Sequence, residues 1–348
     1  MNSVPPDITL INSGYGGWHG SSMIKHIIQR LCSTILLLLA VSFFTFWLMH
    51  STPGNFFDSL RLNPQISQET VARYEKLYHL NDPLLVQYAH WIINILHGEW
   101  GYSFYYNVPV THVLGSRLFN TFILSFTSLL LTWGAAIPLG IWAALRRNQW
   151  VDRILSVFSF AAFSTPGFFL AVLVLYAVSR WGVLPLGGMH SPDYDDMSIF
   201  GKIRDTALHL VIPASVLSLS AMASLQRIMR GNMLGVLRQQ YILAARAKGL
   251  PERVVIYRHA LRNAFNPLVT LLGYEFAALL SGAALIEIVC SWPGLGSLLL
   301  TAVRAKDVYL VMSSTLLAGV LLIIGNVLAD ILLTWVDPRI RYGKNKSQ

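Results

Sequence analysis

The sequence is short of charge. Asp, Glu, Lys and Arg together make up 12% of its 348 residues, about half the share of an ordinary soluble domain. A soluble protein of this size needs more charge to cover its surface. Cysteine is scarcer still: Cys32 and Cys290 are the only two, which excludes a secreted disulfide scaffold. No G-x-x-x-x-G-K-[ST] occurs, since Gly201–Lys202 is followed by Ile203 and Arg204, so the chain carries no P-loop. H-E-x-x-H and G-x-S-x-G are also missing, leaving no recognisable metalloprotease or serine-hydrolase signature.

Apolar residues take the vacant share. They reach 54%, and the mean hydropathy is +0.52. They fall in blocks of the roughly 20 residues that cross a bilayer. Six blocks stand out, at Cys32–Met49, Phe119–Leu145, Ile154–Ser179, Leu208–Met229, Phe265–Cys290 and Val308–Val336. The expected fold class is therefore an all-α polytopic membrane protein with six transmembrane helices. The fourth block is diluted by Ser215, Ser218, Ser220 and Ser224, which suit helix–helix packing better than lipid contact. The first is too long for a signal-peptide h-region and lacks a cleavage site after it, so it reads as a retained helix.

The net charge of +9 records topology rather than nucleic-acid binding. Assigned to alternate sides of the six spans, 17 of the 26 Lys and Arg fall on one side and 9 on the other. The rich side includes Lys25, Arg146, Arg147, Arg230, Arg246 and Arg339. By the positive-inside rule that side is cytoplasmic, and with it both termini. The multi-pass chain lies in contact with membrane lipid. Cys32 and Cys290 then lie on opposite faces, too far apart for a disulfide.

Four regions follow. Residues 1–22 form a flexible cytosolic tail, and 23–118 hold the first span and an extended external segment. The transmembrane core, with its cytosolic loop 230–263, occupies 119–336, and 337–348 form a second cytosolic tail. In the external segment, Ser67 can cap a helix bearing Val71, Tyr74, Leu77 and Tyr78. Asp82–Pro83 then starts an aromatic amphipathic helix carrying Leu84, Leu85, Tyr88, Trp91, Ile92 and Ile95, expected to lie along the membrane surface.

The cytosolic connection between spans four and five is the most informative stretch. Leu234, Leu237, Tyr241, Ala244, Ala245 and Lys248 keep a helical period. Gly249 falls where a left-handed helix terminator belongs, and Pro251–Glu252 where a new helix starts. Small residues beside a sharp turn let another surface come close. A rigid cytosolic helix joined to two spans can also act as a lever, so these residues suit protein docking as well as topology.

This stretch, YILAARAKGL (Tyr241–Leu250) followed by RHALRN (Arg258–Asn263), resembles the EAA loop of permease subunits in binding-protein-dependent ABC importers. It is most similar to the dipeptide/oligopeptide permease family. The family's A-x-x-x-G core falls on Ala245 and Gly249, with Leu243 in place of the leading Glu. Arg262 stands where the general motif has Pro, and Pro267 comes later. STPG (Ser51–Gly54), YHLNDPLLVQY (Tyr78–Tyr88), HGEWGYS (His97–Ser103), EIVCSWPGLGSLL (Glu287–Leu299) and Asp337–Pro338–Arg339 extend the resemblance over nearly the whole chain.

The resemblance implies a transport subunit and not an enzyme. Its implied partners are a second homologous permease subunit, cytosolic ATPase subunits and an external substrate-binding protein. ATP is then used by the partners and is no cofactor of this chain. The implied ATPase-coupling residues are Tyr241, Ala244, Ala245, Lys248, Gly249, Leu250, Arg258, His259 and Arg262. The implied substrate is a di- or oligopeptide, with nickel or another small solute as the alternative within the family.

An ion-coupled secondary transporter is the rival class, and its signature would be intramembrane carboxylates. Glu275 and Glu287 are twelve residues apart, about 18 Å along a helix, so they cannot share a proton. Each is a candidate lining residue of the pathway, with Glu287 near a span end in reach of water. Pro138, Pro166, Pro213 and Pro267 interrupt helical hydrogen bonds in or beside spans, as hinges or as fixed kinks.

The expected topology is tested by Ser198→Cys and Gln239→Cys in a Cys-free background. An impermeant thiol reagent applied to intact cells should label position 198 and spare position 239. The opposite pattern reverses the orientation.

Overall fold

The computed structural model describes residues 20–54, 82–268 and 283–336, together with 56, 61, 69, 76, 271 and 272. Val71, Tyr74, Leu77 and Tyr78 of the expected helix after Ser67, residues 1–19 and 337–348 of the two expected tails, and Glu275 lie outside these residues, while residues 20–22 begin the first helix.

Helix α1 (Gly20–Ser51) and helix α2 (Leu84–Leu96) are followed by two short paired strands, β1 (Tyr102–Ser103) and β2 (Val108–Pro109). Then come α3 (Val110–Leu145), α4 (Trp150–Ser164), α5 (Gly167–Trp181), α6 (Ile199–Leu237) and α7 (Gln240–Ala247). Helix α8 begins at Glu252–Val254, widens to a π-turn at Val255–Ala260 and returns to α-helix over 261–268. Helices α9 (Ala284–Val289), α10 (Leu295–Arg304) and α11 (Val308–Val336) complete the order.

Among the described residues, four helical stretches are long and apolar enough to span a membrane: Ser33–Ser51, Val110–Leu145, Ile199–Leu237 and Val308–Val327. The third expected span is not one straight helix. Its two halves, α4 and α5, meet at a 108° bend. Thr165 is extended there, and Pro166 precedes the first turn of α5. Proline offers no N–H to continue α4, and its fixed φ suits a new start. The fifth expected span is described only at its two ends, 265–268 with 271–272, and 283–290.

Long helices carry the fold because lipid offers no partner for a free backbone N–H or C=O. What joins them is close approach. A Cβ on Gly140 of α3 would sit 2.7 Å from Met229 Cβ and 2.8 Å from the Gln226 carbonyl of α6. Only a bare backbone fits there. Polar side chains bond across the seams. Ser159 of α4 donates to Gln226 Oε1 at 2.9 Å, and Thr132 of α3 to the Ser218 carbonyl at 3.4 Å. Ser220 reaches the Ala162 carbonyl at 3.4 Å, so one of the four serine side chains of the fourth block bonds across a helix seam, while that of Ser218 bonds the Ser215 carbonyl within its own helix.

Helix α2 turns its aromatic face onto α1 and α11. Trp91, 3% exposed, packs with Phe46 and Met312. Tyr88 shares a 2.7 Å hydrogen bond with Ser42. The Asp82 side chain does not cap this helix; Pro83 holds the cap position, and Gln87 Nε2 donates to the Asp82 carbonyl at 2.8 Å. The two strands are tied to α11 by buried Asp307. It accepts from Ser103 Oγ at 2.7 Å and the Tyr105 amide at 3.1 Å, and caps α11 through the Leu310 amide at 3.2 Å. Cys290 is buried and free, as a packing residue.

Gly140→Val should destabilise the chain by about 1–3 kcal/mol through overpacking. Gly134→Val, on the same helix with nothing within 4 Å of the added Cβ, should cost far less. Thermal unfolding of the two purified variants checks the order.

Candidate functional site

Two regions of the structure hold side chains that the sequence marks as candidates. They lie at opposite ends of the helix bundle.

At the end rich in basic residues, α6 stops at Leu237, and the chain turns through Arg238 and Gln239 into α7. The turn is held by burial. Ile242 and Ala245 of α7 join Met229 and Met233 of α6, Ala144 of α3, and Val255, Ala260 and Ala264 of α8 in one core. Ile242 is fully buried and Ala245 is 8% exposed. The opposite face of α7 is open: Tyr241, Ala244 and Lys248 are exposed, and Leu250 follows them. Gly249 ends the helix at φ +75°, with nothing within 4 Å of where a Cβ would lie. The glycine is therefore required within this chain for its left-handed backbone and not for a close contact.

An ion pair spans that turn. Arg246 donates to both carboxylate oxygens of Glu252, at 2.6 and 3.2 Å. The guanidinium holds the Glu252 carboxyl below the usual range and raises its own pKa in turn. Both side chains are more than a third exposed, so the pair contributes orientation more than stability. Arg258 and Arg262 are exposed on α8, and His259 is half-buried. The π-turn at 255–260 carries Arg258 and His259; such wide turns are frequent at functional sites.

The structure thus divides the nine coupling candidates. Tyr241, Ala244, Lys248, Gly249, Leu250, Arg258 and Arg262 face outward, His259 is intermediate, and Ala245 faces the chain's own core. A helical period alone does not reveal which side of α7 the rest of the chain covers. The Arg246–Glu252 pair was legible only as two opposite charges flanking a glycine. A second ion pair, Arg230 to Asp152, gave no local signal, because its partners are 78 residues apart.

At the other end lies Glu287. Its expected contact with water does not occur: it is fully buried. Thr121 Oγ1 donates to Oε1 at 2.6 Å, and the Gly296 and Ser297 amides donate to Oε2 at 2.7 and 3.3 Å. The carboxylate therefore caps the N-terminus of α10, where helix amides are free and the dipole is positive. This accounts for the glycines of W-P-G-L-G. A Cβ on Gly294 would lie 2.1 Å from Glu287 Oε1, and one on Gly296 would lie 2.3 Å from Ala284 Cβ. Trp292, fully buried, donates from Nε1 to the Asn120 carbonyl at 3.0 Å, and Asn120 Nδ2 returns a bond to the Pro293 carbonyl at 2.8 Å. The motif is a clamp of α9 and α10 onto α3.

Residues 136–342 match the family model described as the binding-protein-dependent transport system inner membrane component. Residues 23–125 match the model of the N-terminal region of such membrane components. The oligopeptide transport system permease protein AppB of Bacillus subtilis (strain 168) is 36% identical over 322 residues, covering 92% of this chain and 100% of that one. OppB, an oligopeptide transport system permease protein of Haemophilus influenzae, is also 36% identical, over the same shares of the two chains. A putative peptide permease protein of Brucella suis biovar 1 is 37% identical, over 92% of this chain and 99% of its own.

Glu287→Gln puts an amide donor against the Gly296 and Ser297 N–H groups or removes the acceptor from Thr121. It should cost about 1–3 kcal/mol of stability, with uptake falling in step with the melting temperature. A pathway-lining role predicts the other pattern, loss of uptake at an unchanged melting temperature.

Proposed function

This chain belongs to the family of binding-protein-dependent transport system inner membrane components, and on that premise we propose that it forms part of a translocation pathway for di- or oligopeptides. The peptide class rests on relatives named as oligopeptide permeases that match along their whole length. A second homologous permease subunit supplies the rest of the pathway. An external binding protein delivers the substrate, and cytosolic ATPase subunits supply the energy. The chain's lack of a P-loop fits a nucleotide site in those partners.

The observation that carries the coupling assignment is the exposed face of α7, closed by Gly249 at φ +75°. Tyr241, Ala244 and Lys248 are presented there, with Leu250 just past the turn. Ile242 and Ala245 lock the opposite face to α6, α3 and α8. A push on the exposed face therefore reaches two long helices at once. It also reaches α8, which leads toward the fifth expected span. In this assignment the α7 end is cytosolic, and so are both termini.

Gly249→Asn and Gly249→Asp test it. Asn tolerates a left-handed backbone better than other non-glycine residues, so Gly249→Asn should keep membrane abundance near that of the unsubstituted chain. Both variants place a side chain at the proposed partner surface. ATPase co-purification and peptide uptake should fall at least several-fold in each, and more in Gly249→Asp. Full uptake and full ATPase association in both would leave the bend as a topology signal only.

A further inference from the structure

A groove of about 400 Å³ opens beside the α3–α4 turn, lined by Arg147, Asn148, Arg230, Gly231, Leu234, Gly235 and Arg238. It does not belong to the exposed face of α7. The α6 residues in it, Arg230, Gly231, Leu234 and Gly235, share one face of the helix, and Arg238 follows just past its end. Met229 and Met233, which hold α6 to α3 and α7, point the other way. Gly231 and Gly235 are exposed, with nothing within 4 Å of an added Cβ, so bare helix backbone on either side of Leu234 forms the floor of the groove.

Its lining is cationic. Arg230 is fixed by a bidentate bond to Asp152, at 2.5 and 2.7 Å. Asp152 is held in turn by the Asn148 amide at 2.9 Å. That pair is neutral as a unit. Arg147, in the turn after α3, and Arg238, just past the end of α6, add two exposed guanidiniums. Arg230 directly follows the apolar run that ends at Met229, and Trp150, 68% exposed, starts α4 close by. Trp enrichment marks the membrane–water interface, and Arg forks suit phosphate oxygens.

We propose that this groove binds a phosphate-type anion, with Arg147 and Arg238 as its two charged walls and the Gly231–Gly235 backbone as its floor. The phosphodiester of an anionic phospholipid headgroup and free inorganic phosphate offer the same chemistry. The site's depth, at the inner end of a spanning helix, suits either one. Basic pockets between spanning helices on the cytoplasmic side hold headgroups in this way.

The test uses the full chain purified in detergent and native mass spectrometry. Three probes are added separately: phosphatidylglycerol, phosphatidylcholine and inorganic phosphate. The variants are Arg147→Gln/Arg238→Gln, Arg147→Lys/Arg238→Lys, and the control Lys202→Gln at the other end of α6. Phosphatidylglycerol binding that falls roughly 10-fold in the Gln pair, but much less in the Lys pair and not in the control, supports a lipid headgroup. The same pattern with inorganic phosphate alone supports the soluble ion. Equal binding of every probe by all four chains overturns the proposal. So does unchanged anion binding with loss of ATPase co-purification, which makes the groove a protein contact. If the Gln pair does not reach the membrane, Arg238→Gln alone, at the exposed end of α6, gives the same readout at reduced size.

Discussion

Everything at the basic end of this molecule depends on how closely α3 and α6 approach. At Gly140 the two backbones meet with no room for a methyl group. In lipid there is little hydrophobic gain from pairing two apolar helices, so contact distance and interhelical hydrogen bonds decide the pairing. The approach at Gly140 brings Met229 and Met233 against Ala144, and that packed set receives Ile242 and Ala245 of α7. A shift of α6 along α3 would therefore move the bend, its exposed face and the α8 π-turn together.

The same economy appears in the use of carboxylates. Glu287, Asp307 and Asp152 are all buried. None sits alone. Glu287 caps α10, Asp307 caps α11 and ties down the strand pair, and Asp152 locks Arg230. Unpaired, each would be costly in a low-dielectric interior. Paired with amides, hydroxyls or a guanidinium, each joins two segments distant in sequence. Such groups stiffen the loops at both ends of the bundle.

Much of this was legible without coordinates. The runs of apolar residues located α1, α3, α6 and α11, because bilayer thickness imposes a length on them. Gly249 was legible as a left-handed terminator and Pro251 as a start, since each reflects local backbone sterics. The 108° bend at Pro166 was half legible: proline marks an interruption, but its angle depends on what α4 and α5 pack against. Glu287 was read as water-facing because it lies near a span end. Its burial comes from Thr121, 166 residues away, which no local pattern reports. Ala245 carried a motif position and still proved to face inward.

By itself, then, the sequence determined composition, span length and two backbone turns: a helical membrane chain, interrupted at Pro166 and bent at Gly249, although Pro138 and Pro213 sit inside continuous helices. These follow from solvent and sterics acting on neighbouring residues. Tertiary structure alone decided which face of α7 is free, which carboxylates are buried, and that Arg147 and Arg238 line one groove with Gly231 and Gly235. Those outcomes depend on which helices touch. Helices touch where small residues and distant hydrogen-bonding groups coincide in space, and one-dimensional spacing does not contain that coincidence.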